Sequence, residues 1–196
     1  MSRAVLALAI ALAIVAMPRF ALACACCTHE GQRNVAVMAF ESNRREVIAD
    51  LRFAGEAKLY LGEADPDSVK GIASPSVVYS MKAEMEGTRL LFTLASEGGE
   101  SGSLALQLPE KISIFEVDPR NAPDEGTGPG LYKEWKLTGP VSGSGAFAAG
   151  AGPGQLLTLI VQGSGNACTS GSDFSHWTLV MQGPKANYTL FGALAR

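Results

Sequence analysis

An alternation of apolar and polar side chains with a period of two is the feature that most constrains how this chain can fold. The clearest example covers residues 77–86, and its apolar members are Val77, Tyr79, Met81, Ala83 and Met85. Successive side chains of a β-strand point to opposite faces, so this pattern predicts a strand with one buried side and one solvent-facing side. Half-buried strands of this kind are typical of antiparallel sheets.

The same alternation recurs along the chain. The clearest repeats are Leu104/Leu106/Leu108, Leu131/Trp135/Leu137 and Trp177/Leu179/Met181. A glycine-rich segment at 97–102 and the turn-forming sequence Gly-Pro-Lys-Ala-Asn at 183–187 predict tight turns between strands. We therefore predict an all-β fold, an antiparallel β-sandwich or β-barrel of about eight to ten short strands in a single domain. The predicted core comprises Leu51, Phe53, Tyr79, Met81, Leu106, Trp135, Leu137, Leu159, Trp177 and Leu179.

Two segments fit the alternation less well. In residues 43–54, Val47, Ala49, Leu51 and Phe53 alternate as in a strand. Yet Val47, Leu51 and Ala54 also share one face of a helix. We interpret this segment as a strand, since periodicity alone does not decide a segment this short. Residues 139–154 contain six glycines, which predicts flexible or bulged connections between strands.

Residues 1–23 have the features of a secretory signal peptide. Arg3 supplies the positive charge, residues 4–17 form an apolar run, and residues 21–23 offer a small-x-small cleavage site. The run is too short to cross a bilayer, which takes about 18 or more apolar residues. We therefore predict an exported, soluble protein, periplasmic or extracellular, without a transmembrane segment. The signal peptide (1–23) is followed by a cysteine-rich N-terminal segment (24–34) and an antiparallel β domain (35–196).

The cleavage point has more than one interpretation. Ala23-Cys24-Ala25 is a second small-x-small site, so cleavage falls after Ala23 or after Ala25. A lipid anchor on Cys24 is a competing interpretation. We disfavour it because Ala21 stands three residues before the cysteine, where lipoprotein signals usually carry Leu.

The charge balance argues against two classes of partner, nucleic acids and anionic membranes. The chain has 16 Lys and Arg against 19 Asp and Glu, a formal net charge of −3 at pH 7, and no basic stripe. Nucleic acids and anionic membranes are attracted by clustered basic residues. We therefore predict no nucleic-acid partner, and the sequence names no other partner.

The four cysteines form the strongest chemical signal. Cys24, Cys26 and Cys27 lie close together, and Cys168 lies near the C-terminus. An even number of cysteines in an oxidising compartment predicts disulfides. Cys26 joined to Cys27 would be a strained bridge between neighbours, whereas Cys24 and Cys27 have two residues between them. We therefore predict the pairs Cys24–Cys27 and Cys26–Cys168.

Metal binding is the alternative interpretation of the same residues. Thiolates and imidazoles suit copper or zinc, and otherwise we expect no cofactor. The metal-ligating set would be drawn from Cys24, Cys26, Cys27, His29, Cys168 and His176.

Other motifs point to no definite chemistry. Asp173, Ser175 and His176 have the residue types of a hydrolase triad, but the fold usually brings triad members together from distant positions. We therefore name no catalytic residue. Long connections at 62–76, 118–130 and 163–175 are candidates for ligand binding at one end of the sheets. Their acidic candidates are Asp65, Asp67, Asp124 and Asp173.

These observations favour an exported β domain that serves as a non-catalytic binding or structural module stapled by disulfides. The first alternative is an envelope protein that binds copper or zinc through thiolates and histidines. The second is an envelope hydrolase, since carboxylates brought together from distant loops cannot be recognised in a single sequence.

Overall fold

The predicted all-β fold is confirmed and takes the form of a barrel. The computed structural model describes residues 33–63, 66–117, 131–165 and 170–195. Within these residues, eight antiparallel strands close into a barrel, two further strands extend its sheet, and one short helix covers part of it. No helix of the described residues is long and apolar enough to cross a bilayer.

The described elements are ten strands, one α-helix and two short 3-10 turns. The strands are β1 (Arg33–Ala39), β2 (Glu56–Tyr60), β3 (Val78–Glu86), β4 (Arg89–Ala95), β5 (Ser101–Gln107), β6 (Lys111–Val117), β7 (Leu131–Gly145), β8 (Leu156–Gly165), β9 (Phe174–Gln182) and β10 (Tyr188–Ala193). The helix is α1 (Ser42–Ala49), and the 3-10 turns are Pro66–Ser68 and Gly171–Asp173.

The longest strand, β7, closes the barrel. One of its edges pairs with β8, and its other edge pairs with β6 near the start of β7 and with β5 near its end. The closed ring therefore runs β7-β5-β4-β3-β2-β10-β9-β8 and returns to β7. Since β6 pairs with β1 on its far side, β6 and β1 continue the sheet outside the ring, with β1 outermost.

Side chains fill the interior of the barrel. Inward-facing residues of each strand alternate with outward-facing ones, and large aromatic rings meet inside. The rings of Trp135 and Phe174 lie 5.3 Å apart, and those of Phe53 and Phe92 lie 5.6 Å apart. Nine of the ten predicted core residues are buried, and the tenth, Phe53, is half-buried against the same core.

The two ends of the barrel are covered by different segments. At one end, called here the helix end, α1 packs beside the turn Gly171–Asp173, where a Cβ on Gly171 would lie 3.4 Å from the carbonyl oxygen of Val47. Residues 66–77, 146–155 and 183–187 meet at the opposite end, called here the far end, where the N–H of Asn187 donates to the carbonyl of Lys70 at 3.4 Å. There the N–H of Ala73 donates to the carbonyl of Ala146 at 3.0 Å.

The strand predicted over residues 43–54 is wrong, because residues 42–49 form helix α1. Ile48 is the buried residue of this helix, and the guanidinium of Arg45 lies over the Phe40 ring, 4.7 Å from its centroid. Arg45 Nε also donates to the carbonyl of Phe40 at 2.9 Å. Packing on the barrel end therefore selects the helical periodicity over the alternating one.

The glycine-rich segment 139–154 is only partly a connection. Residues 139–145 continue β7, and only residues 146–155 form the connection to β8. A Cβ on Gly139 would lie 2.1 Å from the carbonyl oxygen of Gln107, and one on Gly145 would lie 2.1 Å from that of Ser101. Glycine occurs here because the neighbouring backbone approaches too closely for any side chain.

Candidate functional site

The predicted cysteine chemistry lies outside the described residues. Cys24, Cys26, Cys27 and His29 precede residue 33, and Cys168 falls within residues 166–169. The disulfide pairs, the metal alternative and the signal peptide therefore stay predictions. Of the predicted metal-ligating residues, His176 is the one that the structure describes.

The cysteines adjoin two described strands, the start of β1 and the end of β8. Both of these strand ends lie at one end of the barrel. Across neighbouring strands, Arg33 of β1 is opposite Val117, Val117 is opposite Tyr132, and Tyr132 is opposite Ser164 of β8. Arg33 and Ser164 are thus three strand spacings apart, about 15 Å. The chain enters β1 and leaves β8 at the helix end.

A buried ion pair lies at this same end. Lys133 is on the inward face of β7, beside Trp135, and its side chain is fully buried. Its Nζ donates to Asp173 Oδ2 at 2.7 Å, and the Asp173 side chain is 14% exposed. The same carboxylate oxygen accepts the backbone N–H of Ser170 at 3.2 Å. Asp173 therefore both caps the turn Gly171–Asp173 and fastens it to the barrel wall.

Two glycines of β8 make room for this ion pair. A Cβ on Gly163 would lie 1.9 Å from the carbonyl oxygen of Asp173, and one on Gly165 would lie 2.2 Å from Asp173 Cγ. The pairing of β8 with β9 is also irregular between Gln162 and Gly163. The glycines and this irregularity let the turn reach the inside of the barrel.

A second polar group lies on the outer face of β7 and β8, centred on Glu134. Lys136 Nζ lies 2.9 Å from Glu134 Oε1. The Glu134 Oε2 atom accepts hydrogen bonds from Gln162 Nε2 at 2.9 Å and from the Tyr132 hydroxyl at 3.1 Å. Burial alone would raise the pKa of Glu134, but the hydrogen bonds and charge outweigh it and hold the pKa below its ordinary value. The pKa of Tyr132 is raised, first by burial and then by the neighbouring Glu134.

His176 is exposed on the outer face of β9, opposite Gln162 of β8. Its Nδ1 lies 2.9 Å from the hydroxyl of the adjacent Ser175, while Asp173 binds Lys133. In a hydrolase triad the histidine lies between the acid and the nucleophile, with the acid on Nδ1. The arrangement of Asp173, Ser175 and His176 differs from that order.

Two of the three predicted ligand loops start or end at opposite ends of the barrel, and the third, 118–130, lies outside the described residues. Asp65 and Asp124 lie outside the described residues, and Asp67 is exposed in the 3-10 turn Pro66–Ser68. That turn follows β2 and lies at the far end, whereas Asp173 lies at the helix end. Strand direction, which local pattern does not reveal, puts the end of β2, from which the connection 62–76 starts, opposite the turn Gly171–Asp173.

Sequence reasoning did not single out Lys133 or Glu134. A signal for Lys133 was present, because residue 133 falls on the apolar side of the alternation formed by Leu131, Trp135 and Leu137. A lysine on a buried face requires a partner of opposite charge. The Glu134 group carried no such signal, since alternation places residue 134 on the solvent side.

The described residues contain no group of three or more His, Cys, Asp and Glu side chains placed to hold a metal ion. No protein-family model, no curated protein and no solved structure matches this chain.

Proposed function

We propose that this chain is an exported, non-catalytic β-barrel module that serves a binding or structural role outside the cytoplasm. Two disulfides, Cys24–Cys27 and Cys26–Cys168, would fasten its N-terminal segment to the barrel. The proposal places the protein in the periplasm or outside the cell, where such bridges persist.

The observation that carries this proposal is that the two cysteine-bearing segments join the described barrel at the same end. About 15 Å separates Arg33 from Ser164 across the strands. The six residues from Cys27 to Arg33 reach at most about 20 Å, and the three from Gly165 to Cys168 reach about 10 Å. A bridge between Cys26 and Cys168 is therefore within reach without displacing any described strand.

The packed interior supports an outer binding surface rather than an internal one. Trp177, Tyr79, Phe92 and Phe147 are almost completely buried within the core. Eight-stranded barrels either fill their interior with side chains or hold a small ligand there. With its interior filled, this barrel would meet a ligand or partner through its outer face or its connections.

A thiolate site for copper or zinc is the second candidate, favoured by the same convergence. His176 lies on β9, next to β8 at the helix end, so an imidazole is available near the segment that carries Cys168. Zinc is held by four such ligands in structural sites, and Cu(I) prefers thiolates. Metal analysis of the purified protein separates this candidate from the disulfides.

Urea unfolding with and without reductant tests the proposal, followed by the fluorescence of the buried Trp135 and Trp177. Loop-closure entropy gives the Cys26–Cys168 bridge about 5 kcal/mol before native strain is subtracted. We expect reductant to lower the stability of the wild type strongly and that of Cys168→Ser only slightly. Cys24→Ser is the matched control and should keep most of the effect.

Two results would contradict the proposal. Wild-type stability that is unaffected by reductant but lost on adding a chelator would indicate the metal site instead. Equal sensitivity of the wild type and Cys168→Ser to reductant would show that the long bridge does not form.

A further inference from the structure

Strand β1 presents a sheet edge. It pairs with β6 through seven consecutive residue pairs without a bulge. Every other described strand has neighbours on both sides, because the barrel closes and β6 lies between β1 and β7. Among the described residues, no strand pairs with the second edge of β1. Such an edge offers unpaired backbone donors and acceptors to another strand.

This edge lacks the features that usually keep sheet edges apart. Residues 34–39 read Asn-Val-Ala-Val-Met-Ala, without a charge or a proline. Val35 and Val37 are 72% and 69% exposed, the highest values among the large apolar residues of the described chain. Both point to the outer side of the sheet, beside Phe115 and Ser113 of β6. Charges, prolines, bulges or short length normally protect an exposed edge, and residues 34–39 of β1, which follow Arg33, have none of these.

We propose that β1 pairs with β1 of a second copy of this chain, in antiparallel orientation, about a two-fold axis at Ala36. This register sets Val35 of each copy opposite Val37 of the other, and Asn34 opposite Met38. The four valines then lie together on one face and cover each other. Every position from 34 to 38 meets an uncharged residue, and Arg33 of each copy stands opposite Ala39 of the other at the two ends of the contact, so no charge lies at its centre.

The chemistry of the edge favours a second copy over another strand. A partner strand must be uncharged opposite residues 34–38 and must have a free edge of its own, and β1 meets both requirements among the described residues. The described residues of each copy present one such edge, so pairing through them stops at a dimer instead of growing into a fibre. The contact is one strand wide. Small interfaces, below about 1,200 Å², form transient complexes, so the dimer should depend on protein concentration.

Sedimentation velocity of the full exported chain across a concentration series tests this pairing. The wild type should shift from monomer to dimer as concentration rises. Val35→Lys and Val37→Glu should each raise the dissociation constant about tenfold or more, because a charge then meets a valine. The double variant Val35→Lys/Val37→Glu should recover much of the dimer, since the proposed register sets each lysine opposite a glutamate of the other copy.

Val78→Lys is the matched control, because Val78 is 41% exposed on β3, away from the edge. This variant should dimerise like the wild type. A denaturing gel without reductant identifies any dimer held by intermolecular disulfides. Thermal unfolding verifies that each variant keeps its fold, as expected for exposed positions. A wild type that stays monomeric at all concentrations, or single variants that dimerise normally, would overturn the proposal.

Discussion

Lys133 shows what one residue contributes to this barrel and why its role is hard to foresee. Alternation along β7 places it among buried apolar residues, so its burial could be deduced from the sequence. Its partner Asp173 is 40 residues away along the chain. That pairing depends on the path of β8 and the following turn, which no local pattern specifies.

Asp173→Ala should destabilise the protein by about 3 kcal/mol, because it leaves Lys133 buried without this carboxylate. The turn Gly171–Asp173 also loses a cap. Glu84→Ala is a suitable control, since its ion pair with Lys82 is exposed and should contribute less than about 1 kcal/mol. Urea unfolding at neutral pH measures both. Equal losses of unfolding free energy in the two variants would show that the buried ion pair stabilises the fold no more than the exposed one.

Glu134 should make stability depend on pH in the acidic range. Its folded pKa lies below the ordinary value of 4.5. The unfolded chain therefore binds its proton first as pH falls. The stabilisation is present above about pH 5 and is lost as pH falls through the folded pKa.

Glu134→Gln removes this contribution, so its stability should fall less steeply than that of the wild type between about pH 5 and pH 3. Chemical unfolding at a series of pH values gives the two slopes. Parallel slopes would mean that the hydrogen bonds of Glu134 do not favour its ionised form in the folded protein.

Elements with a long, regular alternation could be predicted, and short or glycine-rich ones could not. Strand β3 occupies residues 78–86, nearly the predicted range, with Tyr79 and Met81 buried as expected. In residues 43–54 the apolar spacing suits both a strand and a helix, and packing against the barrel end decides between them. The glycines of β7 were interpreted as part of a connection. They occur where a neighbouring backbone approaches closely, and the apolar periodicity of the sequence does not reveal such an approach.

The junction of β8 with the turn Gly171–Asp173 should tolerate no side chain at residue 163. Gly163→Ala should cost about 2 kcal/mol, since its Cβ would lie 1.9 Å from the Asp173 carbonyl oxygen and the turn must shift. Gly55→Ala is the control, because a Cβ there meets nothing within 4 Å. Its stability should change by less than about 1 kcal/mol. Thermal unfolding measures the stability of both variants. If Gly163→Ala is as stable as the wild type, the junction is not as tightly packed as described.

For the whole molecule, the all-β fold class could be predicted from the sequence, but the closure of the sheet into a barrel could not. A sandwich and a barrel have the same alternation within each strand, so the choice between them lies in which strands pair. Here the pairing of β7 with β8 closes the ring. Strand directions also separate the connection 62–76 from the helix end. Strand pairing and strand direction depend on residues that are far apart along the chain. The pattern within one sequence does not specify which of these residues meet.

The central claim is that disulfides fasten the N-terminal segment to the helix end of the barrel. Peptide mapping without reduction of the protein purified after expression of the full sequence, combined with metal analysis, tests it most directly. We expect Cys26 linked to Cys168, Cys24 linked to Cys27 if cleavage follows Ala23, and no stoichiometric metal. If cleavage follows Ala25, Cys24 is absent and one N-terminal thiol stays free. Four free thiols together with one bound copper or zinc ion per chain would contradict the account.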